Sequence, residues 1–229
     1  MRADDAALRS GRGCGVGKLT HFLLIRHAAH DYVGRAVAGR KAGVHINAHG
    51  HQEAEQLATA LARLPIDAVY SGPLERVRET AEPLCRALKI SLNIDAAFDE
   101  FDVGEWTGRT FADLDGDELW RRFNSARSST RAPGGELMLE VQARVTGKMS
   151  ALRGQHRCVA IVTHGDVVRA ALTHFLRMDI DAYAQIEIDP ASISLIEWWD
   201  DFARVRMMNA PAAAAETINA VVRGDTTAC

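Results

Sequence analysis

The sequence predicts a single α/β domain in three layers, with helices on both faces of a mostly parallel central sheet. Three observations predict it. Two apolar runs, Phe22–Ile25 and Ala160–Val162, are continuous rather than alternating, as in strands covered on both faces. Stripes of apolar residues at helical spacing lie between the strand-like runs. Strand and helix patterns alternate along the chain, the order that builds parallel sheets. At 229 residues the chain is long enough to bury a sizeable core.

Each element follows in order. Residues 1–18 read as a flexible leader. Its segment Gly11–Lys18 is not a P-loop, because Arg12 stands where that motif needs glycine and Leu19 where it needs Ser or Thr. Residues 20–26 form the first buried strand, and 27–49 a loop rich in Gly, His and Ala. Ala54, Leu57, Ala58, Leu61 and Leu64 mark a helix, and 67–71 a short strand. Pro73 opens the next helix, where its missing N–H costs nothing, and Pro83 is expected to bend or shorten it. Residues 91–94 form another short strand.

Residues 95–135 read as a long insertion or lid carrying short helical pieces, with Arg121, Arg122, Arg127 and Arg131 as a candidate cap. Met138, Val141, Val145, Met149 and Leu152 mark a helix. Cys158–Thr163 is a second buried strand and 166–176 a helix. Residues 192–199 and 202–208 form a closing hairpin with Asp200 and Asp201 in its turn. The domain spans 19–209, and 210–229 is expected to be a loose tail.

The composition excludes several classes. Hydrophobic residues make up 47% and charged residues 25%, ordinary for a globular chain, and the formal net charge is −3. Nothing in that balance calls for nucleic acid or an anionic membrane, so an anion site must be local. The apolar runs are too short to span a bilayer, and Arg2, Arg9 and Arg12 precede no signal-length hydrophobic stretch. Cys14, Cys85, Cys158 and Cys229 form no CxxC pair, which fits a reduced, cytoplasmic protein. A homodimer is compatible with this reading, and the oligomeric state stays open.

Two buried strands each end in a histidine-bearing turn, Arg26-His27-Ala28 and Thr163-His164-Gly165-Asp166. Open α/β sheets place their ligand crevices beyond the carboxyl ends of strands. If the two strands are neighbours, His27 and His164 face one crevice, and the helix opening at Gly165 offers backbone N–H groups to an anion. Arg76 lies in the first turn of the helix after Pro73. Guanidinium groups suit phosphate oxygens, so Arg26, Arg76 and the two histidines make a phosphate pocket without a metal. His27-x-x-His30 and the His45, His49, His51 group lack partners at metal-ligand spacing.

With those residues in place, the chain resembles the histidine phosphatase superfamily, which includes the cofactor-dependent phosphoglycerate mutases. Five motifs carry the resemblance in family order: Arg26-His27-Ala28, Ser71–Ala81 with Arg76, Glu100–Gly108, Pro133–Glu136 and Thr163–Asp166. It is most similar to the phosphatase-like branch that also carries a phosphomutase label. The resemblance implies a phosphoglycerate mutase-like sandwich and no cofactor. It implies His27 as nucleophile, Arg26, Arg76 and His164 as the phosphate pocket, and Glu100 as general acid, with Asp99, Asp102 and Glu105 close by as rivals. Glu100 should then have a raised pKa. His27 should stay neutral, one ring nitrogen donating to a backbone carbonyl.

Three positions depart from the family pattern. Ala28 replaces a glycine, His30 stands where many members carry threonine, and Val33 about where many carry asparagine. His30 and Arg40 become candidate substrate contacts. The activity expected is hydrolysis of a small phosphorylated metabolite, as in histidine-type acid phosphatases. The rivals are a phosphomutase and a weakly catalytic phospho-ligand binder.

Overall fold

The computed structural model describes residues 17–224, so the leader expected over 1–18, its rejected P-loop segment, Cys14 and Cys229 lie outside the described residues or at their margin. Among the described residues six strands form one sheet in the order β3-β2-β4-β1-β5-β6. They are β1 (Thr20–Arg26), β2 (Ala68–Ser71), β3 (Leu92–Ile94), β4 (Cys158–Thr163), β5 (Ile193–Trp198) and β6 (Ala203–Ala210). The pairings β3-β2, β2-β4 and β4-β1 are parallel, while β5 and β6 close one edge as an antiparallel hairpin.

β1 shows why the sheet needs two covers. Leu23 and Ile25 point into one apolar cluster, with residues of α1 (Ala48–Leu61), α2 (Glu75–Leu88) and α7 (Ala215–Arg223). Phe22 and Leu24 point into the other, with α5 (Met138–Leu152) and α6 (Gly165–Leu176). The side-chain period of two sends a continuous apolar run to both faces. Each fully buried Leu, Ile or Phe contributes about 1.5–3 kcal/mol.

The segment 95–135 carries 3₁₀ turns at Ala96–Phe98 and Gly104–Trp106, then α3 (Phe111–Leu114) and α4 (Glu118–Ser125). An aromatic group holds it on the second cluster. Trp106 is fully buried and meets Trp120 at 5.0 Å and Phe123 at 5.1 Å between ring centroids. Trp106 is thus a packing anchor.

Two expectations are corrected. Pro83 does not shorten α2, which runs on to Leu88. The proline removes one helical hydrogen bond, and the buried faces on both sides of it keep the helix intact. The tail expected to be loose from 210 is not. Ala210 ends β6, and Ala215–Arg223 forms α7. Ile218, Val221 and Val222 recur at helical spacing and pack beside α1, which repays the ordering of nine residues. Residues 225–229 lie outside the described residues.

Candidate active site

β1 and β4 are neighbours, paired in parallel with Arg26 opposite Thr163. The next residue on each strand is therefore a histidine, and the two emerge side by side. The His27 amide donates to the Thr163 carbonyl at 2.8 Å, and the rings of His27 and His164 lie 5.3 Å apart. Both side chains are buried. Nδ1 of His27 lies 2.8 Å from the Ala28 carbonyl. A carbonyl only accepts, so Nδ1 carries the proton and Nε2 keeps its lone pair. Burial, reinforced by Arg76 and Arg26, holds the His27 pKa well below the usual histidine range. His164 is held low by the same two causes, burial first and then Arg76.

Two guanidinium groups flank the histidines. Arg76, in the first turn of α2, is completely buried and donates from Nη2 to the Gly39 carbonyl at 2.7 Å. Its Nε and Nη1, Nε of Arg26 and both ring nitrogens of His164 have no hydrogen-bond partner among the described residues. Leaving a buried donor unpaired costs about 1–3 kcal/mol. Several such atoms grouped around His27 fit an anion with several oxygens. Gly165 lets Arg26 into that place, because a Cβ there would sit 3.3 Å from Arg26 Nε. α6 begins at Gly165 with no side-chain cap, so its first amides face the same crevice.

Glu100 comes from the loop after the Ala96–Phe98 turn. That loop crosses close over Gly72, where a Cβ would lie 2.7 Å from the Phe98 carbonyl oxygen. Its Oε1 accepts from the Phe101 amide at 2.9 Å, while Oε2 lies 3.4 Å from His164 Nδ1 and 3.8 Å from Arg76 Nη2. Burial, and then the negative charge of Asp166, push its pKa up to about 7, against the pull of Arg76. The rival carboxylates are turned elsewhere. Asp99 and Asp102 face Arg40, and Asp102 also accepts from the Gly104 amide. Glu105 is exposed.

Arg40 is a correction. It does not line the cavity. Its Nε donates to the Glu100 carbonyl at 2.8 Å and Nη2 to Glu136 at 2.9 Å, with Asp99 and Asp102 within ion-pair range. Three carboxylates surround it, so its charge is spent bracing the Glu100 loop. Glu136 completes the brace, accepting from the Asp102 amide, Arg40 and Arg144. Arg144 donates in turn to the carbonyls of Ala97 and Glu100. The sequence alone offers only a helix-dipole reason for Glu136.

The cavity holds about 320 Å³ and is lined by Arg26, His27, Glu100 and Gly165 together with His30 and Val33, while Arg76 and His164 are fully buried outside that lining. The His30 ring lies 4.7 Å from that of His27, tilted by 34°, and its Nδ1 accepts from the Tyr32 amide. Burial, then Arg76 and Arg26, bring its pKa to about 4, so it is neutral at pH 7. Ala28 fits because its φ is not positive, and its side chain packs against Ile46 and Ala54. The far wall brings residues not expected at the site, namely Asn124, Asp166, Arg169 and Tyr183. Of the four arginines expected as a cap, only Arg127 reaches the cavity.

His27, Glu100 and His164 each offer an atom within 4.8 Å of the others, a spacing a metal ion could use. Arg26 and Arg76 stand beside that trio, and their positive field favours an anion there over a cation.

Residues 22–211 match the model of the histidine phosphatase superfamily, branch 1. The chain belongs to that superfamily. A bifunctional protein of Mycobacterium tuberculosis, Rv2228c, is 33% identical over 205 residues, covering 84% of this chain and 54% of that protein. The chain thus spans about half the length of this relative. Phosphoserine phosphatase 1 of Hydrogenobacter thermophilus is 28% identical over 185 residues, covering 78% of this chain and 86% of the relative. Among solved structures, YhfR of Bacillus stearothermophilus superposes with a TM-score of 0.78 at 24% identity, over 83% of this chain and 97% of that one. Mycobacterial glucosyl-3-phosphoglycerate phosphatase Rv2419c gives 0.75 at 24% identity, over 84% and 100%. These two likenesses show that the chain shares its fold with both solved structures.

Proposed function

We propose that this histidine phosphatase domain hydrolyses a small phosphomonoester through a phosphohistidine at His27, without a metal. The observation that carries the proposal is the state of His27: buried, neutral, its Nδ1 proton committed to the Ala28 carbonyl, and its ring in the field of two guanidinium groups with unpaired donors. The phosphatase names of relatives such as phosphoserine phosphatase 1 support the same reaction class.

The geometry suits two displacements. In the first, the Nε2 lone pair attacks phosphorus, the ester P–O bond breaks, and protonated Glu100 gives its proton to the leaving oxygen. Arg26, Arg76 and His164 hold the phosphoryl oxygens throughout, the positioning and charge stabilisation that phosphoryl transfer needs. The Ala28 carbonyl stabilises the positive charge that develops on the imidazole. In the second, the Glu100 carboxylate takes a proton from water, the oxygen attacks phosphorus, and the N–P bond breaks to release phosphate. A group that must give and then take one proton works best with a pKa near the operating pH, which is where Glu100 lies.

The substrate is read as a small metabolite, because the cavity is at the small end of ligand pockets. No helix among the described residues is long and apolar enough to cross a membrane. Cys85 and Cys158 are free thiols, in keeping with the reduced, cytoplasmic setting we propose. The test is phosphate release from p-nitrophenyl phosphate and a panel of phosphometabolites, with trapping of an acid-labile, base-stable phosphoenzyme. Undiminished turnover by the His27→Ala protein would overturn the proposal. Transfer to a second position of the substrate without phosphate release would replace it with the mutase reading.

A further inference from the structure

The wall of the cavity away from His27 holds a second cation, and nothing in the hydrolytic mechanism uses it. Arg127 follows α4 and is only 4% exposed. Its guanidinium is clamped between two rings, 4.2 Å from the Phe123 centroid and 4.0 Å from that of Tyr183. Nη2 donates to Asn124 Oδ1 at 2.7 Å. Nε and Nη1 are buried and have no hydrogen-bond partner among the described residues. A buried arginine normally satisfies its five donors, and one whose plane is already fixed by aromatic faces loses little freedom on binding.

The local charge is not cancelled. Asp166 is the carboxylate nearest Arg127, 3.8 Å from Nη1, and it also faces Arg169 at 3.4 Å. Two guanidinium groups thus share one carboxylate that is itself partly open to solvent. Glu187, 3.9 Å from Arg169, is 82% exposed and screened by water. Arg169 is otherwise tied to the Ile186 carbonyl, so the unpaired donors belong to Arg127. Elsewhere in the same insertion Arg131 is exposed and saturated by Glu140, which shows that an unpaired arginine is not the rule there.

We propose that Arg127 is a specificity residue that recognises a second anionic group on the leaving-alcohol part of the substrate. The proposal rests on the hydrolase reading, because it takes His27 and Arg26 as the end that holds the transferred phosphoryl group. The preferred substrates are then small phosphomonoesters that also carry a carboxylate or a second phosphate. Phe123 and Tyr183 exclude water from the guanidinium, which strengthens the contact.

Two matched pairs distinguish the sources of the anion. 3-Phosphoglycerate against glycerol 3-phosphate isolates a carboxylate, and fructose 1,6-bisphosphate against fructose 6-phosphate isolates a second phosphate. Each pair is read as a ratio of kcat/KM, so that a general loss of activity cancels. The wild type is expected to favour the doubly anionic member of at least one pair by about tenfold or more, the scale of a buried charged contact made or missed. Arg127→Met should bring that ratio near one, mainly through KM. Arg127→Lys keeps the charge without the planar donors and should fall between, which keeps the test alive if Arg127→Met does not fold. Ratios near one in both wild-type pairs, or a wild-type ratio retained in the variants, overturn the proposal. A wild type that releases no phosphate from any substrate, p-nitrophenyl phosphate included, overturns the hydrolase reading instead.

Discussion

The two ends of the cavity are built differently. The phosphate end stands on the central strands. His27 and His164 are the next residues after paired positions of β1 and β4, and Arg76 sits in the first turn of a helix packed on the same sheet. The leaving-group end stands on the 95–135 segment, where short helices and loops are held by aromatic contacts and by the brace of Arg40, Glu136 and Arg144. The sheet makes the first end rigid, because moving one histidine means breaking backbone pairing. The second end can vary residue by residue without disturbing the sheet. In the proposed reaction the nucleophile and its phosphate pocket sit on the part that cannot move, while the acid Glu100 and selectivity sit on the segment that can change.

Breaking the phosphate end should cost most. His27→Ala is expected to lower kcat on the order of 10^4-fold or more and to abolish phosphoenzyme, measured by single-turnover phosphate release. Glu100→Gln joins the two ends and should cost about 10²–10⁴-fold with alkyl phosphates. The loss should be smaller with p-nitrophenyl phosphate, whose leaving group needs no proton. The wild-type kcat should fall as pH rises through about 7, where Glu100 loses its proton, and this limb should vanish in Glu100→Gln. The same raised pKa carries a stability sign. Between pH 4.5 and about 7 the native state holds a proton that the unfolded chain gives up, so stability falls as pH rises. Thermal melting at pH 8 should therefore find Glu100→Gln more stable than the wild type.

Loosening the other end should cost less. Glu136→Ala removes the acceptor shared by Arg40, Arg144 and the Asp102 amide. kcat is expected to drop on the order of tenfold to 10²-fold with little change in KM, as for a displaced catalytic group. A shifted basic limb in the pH profile would distinguish misplacement of Glu100 from simple loss of folded protein. The smallest effect sharpens the comparison from the rigid side. Gly165→Ala puts a Cβ 3.3 Å from Arg26 Nε, and the sheet leaves little room to relax. KM is expected to rise about fivefold, equivalent to about 1 kcal/mol of overpacking, with melting temperature nearly unchanged.

Much of the phosphate end was legible in the sequence. The apolar runs before His27 and His164 are long enough to read as covered strands, and a strand end is a fixed place. Arg76 was legible because Pro73, though it stands just outside the helix that Leu74 caps and Glu75 opens, signals the helix start nearby. The other end was less so. Asp99, Glu100, Asp102 and Glu105 are equivalent as a charge pattern, and only the loop path over Gly72 turns Glu100 inward. Arg40 and Arg127 were both read as facing the site, and their surroundings separate them: one is saturated by three carboxylates, the other is clamped between rings with donors to spare. The α7 stripe of Ile218, Val221 and Val222 was present but short, and the alanine run before it obscured it.

By itself the sequence determined the α/β class, the two histidine turns and their arginines, because periodicity and strand ends are local properties. Only the tertiary structure decided that β4 lies beside β1, which carboxylate meets His164, and which arginine keeps unpaired donors. Those outcomes depend on what surrounds a side chain, and its neighbours come from segments far apart in the chain.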